Sequence, residues 1–269
     1  MPAYYAHLTF GTRVFAALPA DLRDRIAPQW DAYLCGQYGP DPLFFLGAKN
    51  RAIARRIHHG PAKLPIANLS GAVGKKIPQA DGYAAGFLCH FMLDSVCHPY
   101  VLAQVSRGRL NHAAIETEFD RFLMAQNGIL ATQSLAMPPM PTDYYVYGAA
   151  GLPNGVSAAT YNHALLAYRL VSGAMTLASG TAMHRLLNAA GTLTGSPFLK
   201  GAVSGSFPEP EAFASNRALA LLLDSAIDDC CELLADFFAA ADRGEIFYTP
   251  RLEYDFYGAV TAVSKSVTR

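Results

Sequence analysis

The apolar positions of this chain recur mostly at helical spacing, and the strict alternation that a half-buried strand needs is scarce. Thr9 to Leu18 is largely apolar and predicts a helix that Pro19 stops. Asp21 is placed to cap a second helix running past Trp30. Gly36 to Pro42 is a dense run of helix breakers and predicts a loop, whereas Asn50 to His59 reads as a basic helix ended by Gly60-Pro61. From Asp81 to about Gln104 the pattern is apolar on nearly every side, the mark of a central, buried helix. Pro99 removes a backbone donor near its end and predicts a kink or a stop. His112 to Gln126 is amphipathic, with Ile115, Phe119, Phe122 and Leu123 on the face of His112 and Glu116.

Farther on, Gln126 to Gly155 holds Pro138-Pro139, Pro141 and Asn154-Gly155 and predicts a long, mostly irregular connection. Alanine-rich helices follow near Ser157–Ala178 and Thr181–Ala190, then a loop over Gly191–Pro210. The clearest long helix runs from Glu211 to Ala241, with Leu219, Leu222, Leu223, Ala226, Leu233 and Phe237 on its apolar side. The expected architecture is an all-α, multi-helix bundle with a metal site between its central helices. It reads as one domain over 1–269, with a motif-bearing part at 5–124 and a helical C-terminal part at 156–245.

Composition adds limits more than functions. A chain of 269 residues, 52% hydrophobic and 16% charged, suits a substantial core. Lysine plus arginine equals aspartate plus glutamate at 21 each, so no global field draws in nucleic acid, and no nucleic-acid partner is expected. The N-terminus lacks the basic and apolar regions of a secretory signal, and the least polar tract, Leu170 to Met183, is too short to span a bilayer. Five cysteines without framework spacing add to an expectation of a cytoplasmic protein with reduced thiols. Cys89, Cys97 and Cys230-Cys231 read as buried, inert side chains.

The candidate chemistry lies on two neighbouring segments. Residues four apart stand one above the other on a helix, so His90, Asp94 and His98 form one row, and His112 and Glu116 repeat the arrangement on the next helix. Asp94 sits among Phe91, Leu93 and Val96, where an unpaired carboxylate would cost several kcal/mol or be forced to protonate. No lysine or arginine lies within two turns of it, so a divalent metal is the local source of positive charge. Imidazole and carboxylate are ligands that zinc accepts. A hydrogen-bonded network of buried histidines is the competing reading. Glu118 falls off the ligand face and reads as solvated, Asp120 as support for the ligands, and Arg121 as the partner of an acid. Lys49, Arg51, Arg55 and Arg56 read as the solvated face of a short helix; Tyr144, Tyr145 and Tyr147 either line a pocket or cover the core.

The ordered pattern His90-x3-Asp94, His98, His112-x3-Glu116 resembles the core motif of the zinc-dependent phospholipase C family, whose relatives include single-strand nucleases of related helical fold. Upstream, Ala6-His7-Leu8-Thr9-Phe10-Gly11 is similar to the family's first helix, Gln37 to Phe45 to its aspartate loop, and Arg56-Ile57-His58-His59 to its next histidine position. The resemblance implies one zinc held by Asp41, His58 (or His59), His90 and Asp94, and a second by His98, His112 and Glu116. It implies a third at His7 and Asp94, completed in secreted members by the amine of an N-terminal tryptophan. That tryptophan is absent here, so two zinc ions are expected. The implied activity is hydrolysis of a phosphodiester, in a small phosphoester or a phospholipid headgroup, with Asp41 orienting or deprotonating the attacking water. A zinc-stabilised helical module without catalysis is the alternative.

Overall fold

The apolar tract in the middle of the sequence forms a helix from Ala80 to Ser106 in which every residue from Gly82 through Asp94 is buried, as its all-round apolar pattern requires. It is the axis of the molecule. The computed structural model describes residues 4–261, apart from the side chains at 197 and 198. In chain order the helices are α1 (Tyr4–Ala17), α2 (Ala20–Ile26), α3 (Trp30–Gly36), α4 (Gly47–His59), α5 (Lys63–Gly74), α6 (Ala80–Ser106) and α7 (His112–Gln126). They continue with α8 (Tyr144–Asn154), α9 (Ala158–Ala178), α10 (Ala182–Thr194), α11 (Pro197–Gly201) and α12 (Phe213–Asp242). Among the described residues there is no strand, only a lone bridge between Tyr254 and Val260. The fold is all-α.

Helix α6 is gripped by α3 on one side and by α12 and α1 on others. The α3–α6 crossing depends on two glycines. A Cβ on Gly86 would lie 2.1 Å from the Tyr33 carbonyl oxygen, and one on Gly36 2.8 Å from Gly86 Cα, so only glycine lets the two backbones touch. One hydrophobic cluster runs from Tyr4 to Phe256. Its fully buried phenylalanines, Phe10, Phe87, Phe91, Phe237 and Phe256, each stabilise the fold by roughly 1.5–3 kcal/mol.

Several elements differ from the sequence expectation. The stretch read as one long connection contains α8, started by Asp143, whose carboxylate accepts from Tyr145 N at 2.9 Å, and closed by Gly155 at φ 64°. Helix α5 was not expected; Pro65 lies in its first turn, where a missing N–H breaks no intrahelical bond. The predicted loop at Gly191–Pro210 holds the end of α10 and all of α11. Helix α6 also passes through Pro99 to Ser106. The turn where Pro99 frees the Ser95 carbonyl is backed by Gly258 (φ +72°), on which a Cβ would sit 2.5 Å from that oxygen. Glu118 is buried rather than solvated, because residues 205–209 fold over it. It pairs with Arg121 at 3.2 Å and accepts from Glu209 N at 3.1 Å.

Candidate metal centre

The two rows on α6 and α7 meet, and residues from distant parts of the chain complete them. His7 comes from α1, whose N-terminus is held by Asp120 of α7: the carboxylate accepts from Tyr5 N at 3.1 Å and Ala6 N at 2.8 Å. Burial pushes the Asp120 carboxyl up to about 8. Asp41 opens a 3-10 turn (Asp41–Phe45) between Pro40 and Pro42. The preceding Gly39, at φ +52°, leaves room for an imidazole: a Cβ there would lie 2.5 Å from His90 Cδ2. His58 stands in the last turn of α4 and His112 at the first position of α7, where Asn111 caps the helix through Ala114 N at 2.9 Å.

Three backbone carbonyls set the histidine tautomers. His58 Nδ1 donates to Ala54 O (2.8 Å), His90 Nδ1 to Gln37 O (3.1 Å) and His98 Nδ1 to Phe256 O (2.8 Å). A carbonyl can only accept, so the proton of each neutral ring is on Nδ1 and the Nε2 lone pair faces inward. Those lone pairs meet carboxylates: His58 Nε2 lies 3.0 Å from Asp41 Oδ1, His90 Nε2 3.3 Å from Asp94 Oδ2, and His98 Nε2 3.4 Å from Glu116 Oε1. His112 Nε2 is 2.8 Å from the same Glu116 oxygen, and His7 Nε2 is 3.3 Å from Asp94 Oδ1. Lone pair facing lone pair is repulsive unless a proton or a cation lies between. Asp41 Oδ1 and His90 Nε2 are buried without a hydrogen-bond partner.

The ligand atoms fall into three sets, each within 4.8 Å of one another: His58, His90 and Asp94; His98, His112 and Glu116; and His7, Asp41 and His90. Groups able to hold a metal ion are therefore present on the central helices. All eight predicted residues are in these sets. His59, the alternative to His58, is exposed. Burial opposes charge on His98, Asp94 and Glu116. Even so, Asp94 and Glu116 push His98 up to about 9, and the neighbouring imidazoles hold both carboxylates well below their usual range.

The C-terminal segment supplies what sequence reasoning missed. Phe256 donates from its N–H to His58 O (3.1 Å) while its carbonyl accepts from His98, tying α4 to α6. The Tyr257 ring stacks on His59 at 4.7 Å and contacts His98 at 4.8 Å. Burial, then Asp94, Glu116 and Asp41, push its phenol up to about 12, so it remains a neutral donor beside the cluster. Aromatic residues at the chain's end carried no signal, since only the fold brings them here. Lys49, Arg51, Arg55 and Arg56 are exposed, as expected. Tyr144 and Tyr145 are exposed too, and Tyr147 is tied to Pro141 O at 2.8 Å. All five cysteines are free thiols. No family model, curated protein or solved structure matches the chain.

Proposed function

We propose that the cluster is a zinc centre that hydrolyses phosphoesters in the manner of the zinc-dependent phospholipases C. The observation that carries this is the set of inward-facing Nε2 lone pairs, fixed by Ala54, Gln37 and Phe256 carbonyls and aimed at buried carboxylates. Such outer bonds to ligating histidines are how metal sites fix ring orientation and basicity. His58, His90 and Asp94, with Asp41 Oδ1 3.0 Å from His58 Nε2, would hold one ion, and His98, His112 and Glu116 a second, one turn beyond Asp94 along α6. The second set has three protein ligands, which leaves a fourth position for water or substrate, the mark of catalytic rather than structural zinc. Zinc held there would lower the pKa of water and neutralise phosphate oxygens. The chain's own share is orientation. Asp41, rigid between Pro40 and Pro42, presents an Oδ1 that lies 3.0 Å from His58 Nε2 but accepts no hydrogen bond, and it can take the proton of an attacking water. Tyr257 offers a neutral phenol at the same cluster.

Elemental mass spectrometry of the purified protein, with chelator treatment and zinc add-back on bis(p-nitrophenyl) phosphate, tests the reading. Two zinc ions per chain with chelator-sensitive hydrolysis are expected. Zinc without hydrolysis of any phosphoester would favour a zinc-stabilised module instead, and no zinc would overturn both.

A further inference from the structure

Net neutrality conceals a segregated surface. Between Asp143 and Glu209 the chain has no acidic residue, and its cations there are Arg169, Arg185 and Lys200. Helix α12, by contrast, exposes Asp228, Glu232 and Asp236, together with Asp224, Asp229 and Asp242, which pair with Arg13, Arg251 and Arg25. The acid-free stretch is also where large apolar side chains are exposed in rows. Leu166, Leu170 and Leu177 follow the helical repeat on α9, and Met183, Leu186 and Leu193 do so on α10. Leu177 is 82% exposed and Leu193 86%. Gly191 is the one buried residue described on α10, so this helix places almost nothing in the core.

The two rows converge at a turn. Gly180, between α9 and α10, donates to Ser204 O at 3.0 Å, and Ser206 Oγ donates to Gly180 O at 3.1 Å. Phe207, itself 82% exposed, directly follows the Ser206 that is tied to this turn. Exposed apolar side chains elsewhere, such as Leu64, Leu102 and Ile246, are scattered through the sequence and need no explanation.

We propose that the α9–α10 tip is a docking face for an anionic lipid surface. The leucines and Phe207 enter the acyl boundary while Arg185 and Lys200 reach the headgroup phosphates, the arrangement of helices that lie in a membrane interface. The tip rests on the bilayer surface; among the described residues no helix is long and apolar enough to cross a membrane. Charge selects this occupant over a second copy: the stretch carries Arg169, Arg185 and Lys200 and no carboxylate to answer them, so a two-fold contact would press one net-positive face on another, whereas an anionic surface neutralises it. Glu209 and Glu211 bound the face, and Arg109 joins Lys200 in lining the adjoining cleft. None of this depends on what the metal centre does.

Vesicle co-sedimentation of the full chain tests it. Phosphatidylcholine vesicles with about one third phosphatidylserine should bind at least ~10-fold more protein than phosphatidylcholine alone, and about 0.5 M NaCl should weaken that binding. The double variant Leu177→Ser, Phe207→Ser should lose at least ~10-fold in partition with an unchanged far-UV spectrum, since both side chains are outside the core. Arg185→Glu with Lys200→Glu should erase the preference for anionic vesicles. Protein that stays in the supernatant, equal binding to both lipids, or a double variant that binds like the parent would overturn the proposal. So would a dimer in sedimentation velocity that the double variant dissociates, which would make the face a self-contact.

Discussion

Asp94→Asn removes one charge from the point where four imidazoles converge, and it does so without changing the side chain's volume. His7 and His90 lie 3.3 Å from Asp94, His98 3.7 Å and His58 3.8 Å. In metal-free protein, burial opposes a charge on His98, but Asp94 and Glu116 push it from 6.5 up to about 9. A folded-state pKa above the unfolded one stabilises the fold fully below the unfolded value, and the gain fades as pH rises through the folded value. A rise of that size is worth roughly 3 kcal/mol. Shared between two carboxylates, Asp94's part is about 1–2 kcal/mol at about pH 6 and near zero at about pH 10, where the histidine is neutral. Urea denaturation in chelator should therefore show the variant destabilised at the lower pH and not at the higher. Zinc at about a thousandfold its Kd should then stabilise the parent by about 4 kcal/mol and the variant by about 1 kcal/mol or less, because a neutral amide is a poor ligand. Equal destabilisation at the two pH values, or an equal gain from zinc, would refute the reasoning.

Two further substitutions and a truncation probe other parts of the structure. Gly86→Ala forces a Cβ against the Tyr33 carbonyl, which cannot yield without parting α3 from α6. Thermal unfolding should fall by roughly 5–10 °C, and an unchanged Tm would mean that the backbones do not touch. Gly39→Ala should displace His90 and weaken zinc binding at least ~10-fold, read by calorimetric titration, while the far-UV spectrum stays that of the parent. A stop codon after Glu253 removes both Phe256 bonds. Zinc affinity should drop by roughly 10–100-fold, and a chain that titrates like the full-length one would show the segment to be a mere cover.

The histidine rows were legible because an i, i+4 pattern needs only local sequence. The central helix was legible for the same reason, since a tract apolar on all sides has nowhere to go but inside. His7, Asp41 and His58 entered only through a family resemblance, because nothing local links them to α6. Glu118 was misread because the helical pattern of α7 cannot show that residues 205–209 return to cover it. Helix α8 was missed because Pro138-Pro139, Pro141 and Asn154-Gly155 made the whole stretch read as a connection, yet the prolines precede it and Asn154-Gly155 closes it. Phe256 was out of reach altogether, for it acts through main-chain atoms on a histidine 158 positions away.

The acceptors that fix His58, His90 and His98 are carbonyls of an alanine, a glutamine and a phenylalanine, and each acts with an atom that every residue type owns. Positions 54, 37 and 256 can therefore drift in identity while the rings they orient stay put. The outer layer of this site is written in the course of the backbone and leaves no letter to be matched. Descendants of one ancestor could keep such a centre with little shared sequence beyond the ligands themselves, and would be found by superposing main chains.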